Sequence, residues 1–155
     1  MNKYGIITNI LDRLATEAPS KYKAYYPASD DIKGINDARS RAFIHLYMKV
    51  KFGLLDFETR EQCVSDATDD GGIDGYYIDS TNKRIYLIQS KFRHSDKGFQ
   101  DREITIKELL KMEITRIVKD GETTSEQGIP YNGKILKLIG SIKSIPDITG
   151  ACLSK

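Results

Sequence analysis

Two short stretches carry residue types that could do chemistry: Asp70-Gly-Gly-Ile-Asp-Gly75 and Gln89-Ser90-Lys91. Asp74 and Gln89 stand 15 residues apart, a separation that one β-hairpin can close. Gln89 and Lys91 are two residues apart, so on a strand their side chains leave the same face. An antiparallel partner then places Asp74 opposite that pair, making a corner with a carboxylate, an amide oxygen and an ammonium. Such a corner suits a hard divalent cation, which prefers oxygen ligands. Asp74 supplies charge, Gln89 a neutral carbonyl oxygen, and the Ser90 backbone carbonyl offers a third ligand. Lys91 would orient or activate a metal-bound water for attack on a phosphodiester, with the metal lowering that water's pKa. The glycines permit backbone angles that residues with a Cβ resist and allow close substrate approach.

The elements that must position these residues follow from periodicity. Ile6, Ile7, Ile10, Leu11 and Leu14 predict a first helix, closed by Pro19. Residues 21–34 read as a connecting loop. Asn36 is the expected N-cap of a second helix with Asp37 in its first turn, an apolar face of Ala42, Phe43, Leu46, Tyr47 and Val50, and a stop at Gly53. Residues 64–82 contain five aspartates and no Lys or Arg. Tyr76-Tyr77-Ile78 and Ile85-Tyr86-Leu87-Ile88, joined by Asp79-Ser-Thr-Asn-Lys83, predict a hairpin, and the unbroken apolar second run predicts a central strand covered on both faces. Residues 101–119 read as a helix through Ile106, Leu110, Ile114 and Ile117. Residues 121–133 are turn-rich, and residues 134–145 favour helix. The expected fold class is mixed α/β.

At these residues the chain resembles the PD-(D/E)xK nuclease superfamily in its QxK variant, typical of Mrr-like restriction endonucleases. The fuller string Gly72-Ile-Asp-Gly-Tyr-Tyr-Ile-Asp79 with Ile88-Gln-Ser-Lys-Phe92 is still more similar to the N-terminal region of AIPR abortive-infection phage-resistance proteins. The resemblance implies a restriction-endonuclease-like mixed sheet with flanking helices. The segments would be an N-terminal helix and loop at 1–34, a nuclease-like core at 35–119 and a C-terminal extension at 120–155. It implies Asp74 and Gln89 as the metal-ligand positions for Mg²⁺ or Mn²⁺ and Lys91 as the catalytic lysine. It further implies an acid on the preceding helix, for which Asp37 is the best match and Glu61 the alternative. At 100° per residue Asp37 projects away from the apolar face, whereas Arg39 projects near it. Gln in place of the acidic form removes one negative charge and weakens metal binding unless another acid compensates. Asp70 is one candidate, and a turn-forming Asp beside two glycines is an equally good account of it.

The implied activity is endonucleolytic hydrolysis of nucleic acid, DNA by analogy, in restriction or phage defence. The alternative is a nuclease-like module that binds nucleic acid without cutting. Charge placement suits either. Residues 83–116 carry nine Lys/Arg against five acids, and residues 33–53 carry five against Asp37, so basic flanks surround an acidic centre. Arg93 and Lys97, with Arg39 as a third, are the candidate phosphate contacts. Double-strand cutting needs two active sites, which makes a homodimer a compatible state.

The 155 residues fit one domain of ordinary size, with 39% hydrophobic and 30% charged residues and a net charge of +2. No run approaches the roughly 18 apolar residues of a membrane span, and the polar N-terminus lacks a signal-peptide core. Cys63 and Cys152 form neither a metal spacing nor a disulfide framework, so a cytoplasmic setting is the default expectation and Cys63 reads as a small buried residue. A dinucleotide site is disfavoured, since no GxGxxG lies between a strand and a helix.

Overall fold

Helices supply most of the regular structure, and a single antiparallel hairpin supplies the strands, so the fold is mixed helix and strand. The computed structural model describes residues 2–101 and 105–145. Arg102 of the basic flank and Cys152 lie outside the described residues. In chain order the elements are α1 (Lys3–Ala15), a 3₁₀ turn (Lys23–Tyr25), α2 (Ile32–Phe52), α3 (Phe57–Cys63), β1 (Gly75–Asp79) and β2 (Arg84–Ile88). Then come α4 (Asp96–Asp101), α5 (Ile106–Leu109), a π-helical segment (Thr115–Asp120) and α6 (Gly133–Ser144).

The described residues group into two units between which the chain passes more than once. One draws on Met1–Glu61 and Ser90–Ile104, the other on Gln62–Gln89 and Thr105–Lys155. This division cuts across the three consecutive segments expected from the sequence.

In the first unit, α1 begins at Asn2, whose side chain accepts from the Gly5 N–H, a standard way of satisfying an orphan donor. Its buried positions are Thr8, Leu11 and Leu14, while Ile6 and Ile10 stay exposed. Helix α2 starts a turn earlier than expected, because Asp31 rather than Asn36 is the cap and accepts from the Gly34 N–H. Gly53, at φ +67°, ends it in the left-handed conformation that glycine adopts without strain. The buried face of α2 is Ala38, Ala42, Ile44, His45 and Met48; Tyr47 and Val50 face solvent. The expected stripe is thus rotated, because it omitted His45, whose imidazole stacks on Phe57 with ring centroids 4.7 Å apart while its nitrogens meet polar partners. Two small cores result: Leu11, Ala42 and Phe92, and Ala18, Tyr25 and Phe57.

In the second unit, the hairpin pairs Gly75 with Ile88 through to Asp79 with Arg84. Asp79 holds the turn, accepting from the backbone and side chain of Asn82, and Lys83 takes a positive φ. Tyr76 on one hairpin face packs with Ile73, Ile117, Val118, Tyr131, Ile135, Leu138, Ile139 and Ile142, joined by partly buried Ile78, Ile85 and Leu87. On the other face Tyr77 lies across from Tyr86, ring centroids 6.3 Å apart.

Two expectations are corrected here. Strand β2 is not central: among the described residues the sheet has two strands, and it is β1 that gains a second neighbour, through the bridge of Val64 to Gly75. No continuous helix occupies 101–119. Thr105 and Glu108 close a reciprocal capping box that starts α5 afresh, the chain turns after Leu110, and helical structure resumes at Ile114 in π form. The apolar period survives that break because Ile117 and Val118 still reach the core, whereas Ile106, Leu109 and Leu110 are exposed.

Candidate functional site

The acidic stretch of the second unit folds back on the start of β1. Val64 bridges Gly75, and the N–H groups of Ser65 and Asp66 both donate to the Asp74 carbonyl at 2.9 and 3.0 Å. Two residues facing one is the pattern of a β-bulge, a device that re-aims side chains. It brings Asp66 alongside Asp74. Between them the chain reverses through Asp69, Gly71 and Gly72, all with positive φ, while the Asp70 carboxylate accepts from the Gly72 N–H at 2.8 Å.

The loop is fastened from outside. The Asn132 N–H donates to the Asp69 carbonyl, its side-chain amide donates to the Ser65 and Thr68 carbonyls, and the Glu113 N–H donates to the Gly71 carbonyl. The same Asn132 caps α6 by accepting from the Lys134 and Ile135 N–H groups. One side chain therefore starts the core helix and anchors the acidic loop.

Asp66, Asp70 and Asp74, all half-buried, converge so that one oxygen from each lies within 4.8 Å of the others. At that separation two carboxylates repel by roughly 1 kcal/mol in water and several times more at a partly buried site. Burial, reinforced by the Asp66 charge, pushes the Asp70 carboxyl above the ordinary carboxylate range, against the opposing pull of the Gly72 N–H. A divalent cation would relieve that repulsion, and three carboxylate oxygens are the donor set that Mg²⁺, Mn²⁺ or Ca²⁺ takes.

The residues named from the motif distribute as follows. Asp74 belongs to the acidic triad. Gln89 lies just past the end of β2 at Ile88, not within the strand, so strand alternation does not set its direction relative to Lys91. The regular register would face Asp74 to Gln89, but the Asp74 N–H donates instead to Ile88, the residue already opposite Gly75. The Gln89 Oε1 is buried and has no hydrogen-bond partner among the described residues, which leaves an amide oxygen open to a ligand. Ser90 and exposed Lys91 belong to the first unit.

On α2, Asp37 is exposed and sits 3.9 Å from Lys33; with the helix starting at Ile32 it is no longer a first-turn acid. Arg39 is spent on a bidentate pair with Asp12, both bonds 2.7 Å. Glu61 is instead buried, accepting from Tyr25 at 2.6 Å and Arg41 at 3.2 Å and bonded to His45 at 2.9 Å. Arg93 is half-buried, Lys97 is exposed, and both line a pocket of the first unit. Cys63 is half-buried.

Sequence reading had not singled out Asp66. Its only signal was membership of the uniformly acidic stretch, since a three-residue apposition such as 64–66 is too short to show strand periodicity. Asp70, the candidate compensating acid, lies in the triad. Comparison with protein-family models, with curated proteins and with solved structures finds no match. No described helix is long and apolar enough to cross a membrane.

Proposed function

We propose that the chain is a metal-dependent endonuclease with a restriction-endonuclease-like core, acting on nucleic-acid phosphodiesters, DNA by analogy, in restriction or phage defence. The observation that carries the reading is the convergence of Asp66, Asp70 and Asp74. Two of the three, Asp70 and Asp74, belong to the motif Asp-Gly-Gly-Ile-Asp-Gly that brings the nuclease resemblance. Asp74 keeps its role as metal ligand. Asp66 and Asp70 would restore the negative charge that Gln89 lacks as a ligand, and the buried, unpartnered Gln89 oxygen would serve as a neutral fourth donor. A bound Mg²⁺ or Mn²⁺ would lower the pKa of a coordinated water and offset charge developing on the phosphate. Lys91 is assigned from the resemblance as the lysine serving that water, and Arg93 and Lys97 as phosphate contacts.

The test combines Mn²⁺ calorimetry with plasmid nicking. Asp74→Asn should abolish both metal binding and nicking, while Lys91→Ala should bind Mn²⁺ normally and fail to nick. Nicking that survives Lys91→Ala removes the mechanism. Nucleic-acid binding without cleavage in any metal returns the chain to a non-catalytic binding module.

A further inference from the structure

Directly after the motif, residues between 92 and 101 of the first unit line an open pocket of about 530 Å³, within the range of small-molecule sites. Among the described residues, its polar lining comes from Arg93, His94, Ser95, Lys97 and Asp101. Three of these five are nitrogen donors packed into five consecutive residues. Around them, the Ser95 hydroxyl accepts from the Gly98 N–H, Asp96 accepts from the Gln100 side chain, and Arg93 itself interacts with another group of the protein. Lys97 makes no ion pair among the described residues, although Asp101 lies four residues on and lines the same cavity. The floor includes Phe92, buried against Tyr4 and Phe43, with its ring 6.1 Å from that of His94.

The chemistry of that lining is selective. A phosphomonoester carries close to two negative charges at neutral pH, whereas each phosphate inside a nucleic-acid backbone carries one. A guanidinium, an imidazole and an ammonium grouped together therefore favour the monoester, and charge-assisted hydrogen bonds are the strong ones. The cavity exceeds the size of a phosphate group, and its carboxylate would repel a second phosphate but accept from a hydroxyl or an amine.

We propose that this pocket binds a nucleotide by its phosphomonoester, held by Arg93, His94 and Lys97, with Asp101 receiving a hydrogen-bond donor of the sugar or base. The same group can come from a free mononucleotide or from the 5′ end of a strand. The proposal deepens the nucleic-acid reading by naming the group recognised. It needs no metal, so measurement in EDTA separates its failure from that of metal-dependent cleavage.

The experiment titrates the full chain in EDTA with AMP, adenosine, and 3′-fluorescein oligonucleotides bearing either a 5′-phosphate or a 5′-hydroxyl. AMP should bind where adenosine does not. Tighter binding of the phosphorylated oligonucleotide adds the strand end as a source, and equal binding of the two oligonucleotides alongside AMP binding assigns the pocket to free nucleotide. Lys97→Met, at an exposed position that should not disturb folding, should weaken AMP by roughly tenfold or more, and His94→Asn should weaken it less. Indifference to the phosphate in both pairs of ligands, or AMP affinity unchanged by Lys97→Met, overturns the proposal.

Discussion

Arg60 heads the fully buried side chains among the described residues, and each of its three guanidinium nitrogens has a hydrogen-bond partner. It donates to the Leu54 and Leu55 carbonyls, to Glu17, and through Nε to His45 Nδ1 at 3.2 Å. An arginine keeps its proton, so His45 Nδ1 must accept and Nε2 must carry the hydrogen that faces Glu61. Burial, helped by the Arg60 and Arg41 charges, holds the His45 imidazole below its usual value despite the pull of Glu61. For Glu61, burial acts upward, but the His45 and Tyr25 hydrogen bonds and the Arg41 charge outweigh it and leave the carboxyl low. Both folded-state values are depressed, so both groups add stability above their unfolded values and lose it as pH falls. The urea midpoint should decline below about pH 6.5 as the unfolded histidine takes up a proton, and again below about pH 4.3. His45→Gln should flatten the first decline, and a wild-type midpoint constant from pH 7 to 5 would refute the histidine assignment. Removing the carboxylate in Glu61→Ala leaves half-buried Arg41 without its ion-pair partner and the Tyr25 hydroxyl and His45 Nε2–H without their shared acceptor, and should cost about 3–5 kcal/mol by chemical denaturation. Asp70 has the opposite sign: its raised value means that the folded state disfavours its charge, and stability is lost as pH rises through it. In EDTA at pH 7, Asp70→Asn should therefore raise the melting temperature by about 2–4 °C. Saturating Mn²⁺, by binding the wild type alone, should reverse that order.

The elements that position the acids depend on a few backbone facts. Gly72 has φ +75°, and a Cβ there would stand 2.9 Å from the Lys111 carbonyl oxygen. Gly72→Ala should thus cost about 1–3 kcal/mol and weaken Mn²⁺ binding together. Asn132 separates two roles. Asn132→Ser keeps a good N-cap for α6 but lacks the amide that donates to Ser65 and Thr68, so thermal stability should change little while Mn²⁺ affinity drops; equal losses in Asn132→Ala and Asn132→Ser would refute that division. These same features mark how far the fold was readable. The hairpin, α1 and α6 were legible through their apolar patterns and the distinct turn at Asp79–Lys83, as was the end of α2 at Gly53. The start of α2 was not, because Asp31 and Asn36 are both good caps and only packing chooses between them. Nor was the break after Leu110, since its apolar spacing matches an uninterrupted helix. Of the triad, Asp74 was legible through its motif and Asp70 as an open alternative. Asp66 was invisible because its neighbour across the bulge lies eight residues away with a reversal between.

At the scale of the whole chain, a count of basic residues misstates the available charge. In residues 33–53, Lys33, Arg39, Arg41 and Lys49 all pair with carboxylates, so that flank is largely neutralised within the molecule. Lys97 has no such partner among the described residues. Nucleic-acid affinity plotted against salt on logarithmic axes should therefore lose about one unit of slope in Lys97→Ala and almost none in Arg39→Ala; equal effects would refute the distinction. The two units also exchange chain at Glu61–Gln62, Gln89–Ser90 and Ile104–Thr105. A gene fragment ending at Gln89 would leave Leu11 and Ala42 without Phe92, and one starting at Ser90 would leave α6 without the β1 residues on which it packs. Neither half can be isolated by trimming an end, so dissecting this protein calls for circular permutation or for grafting a short linker across each excised insert.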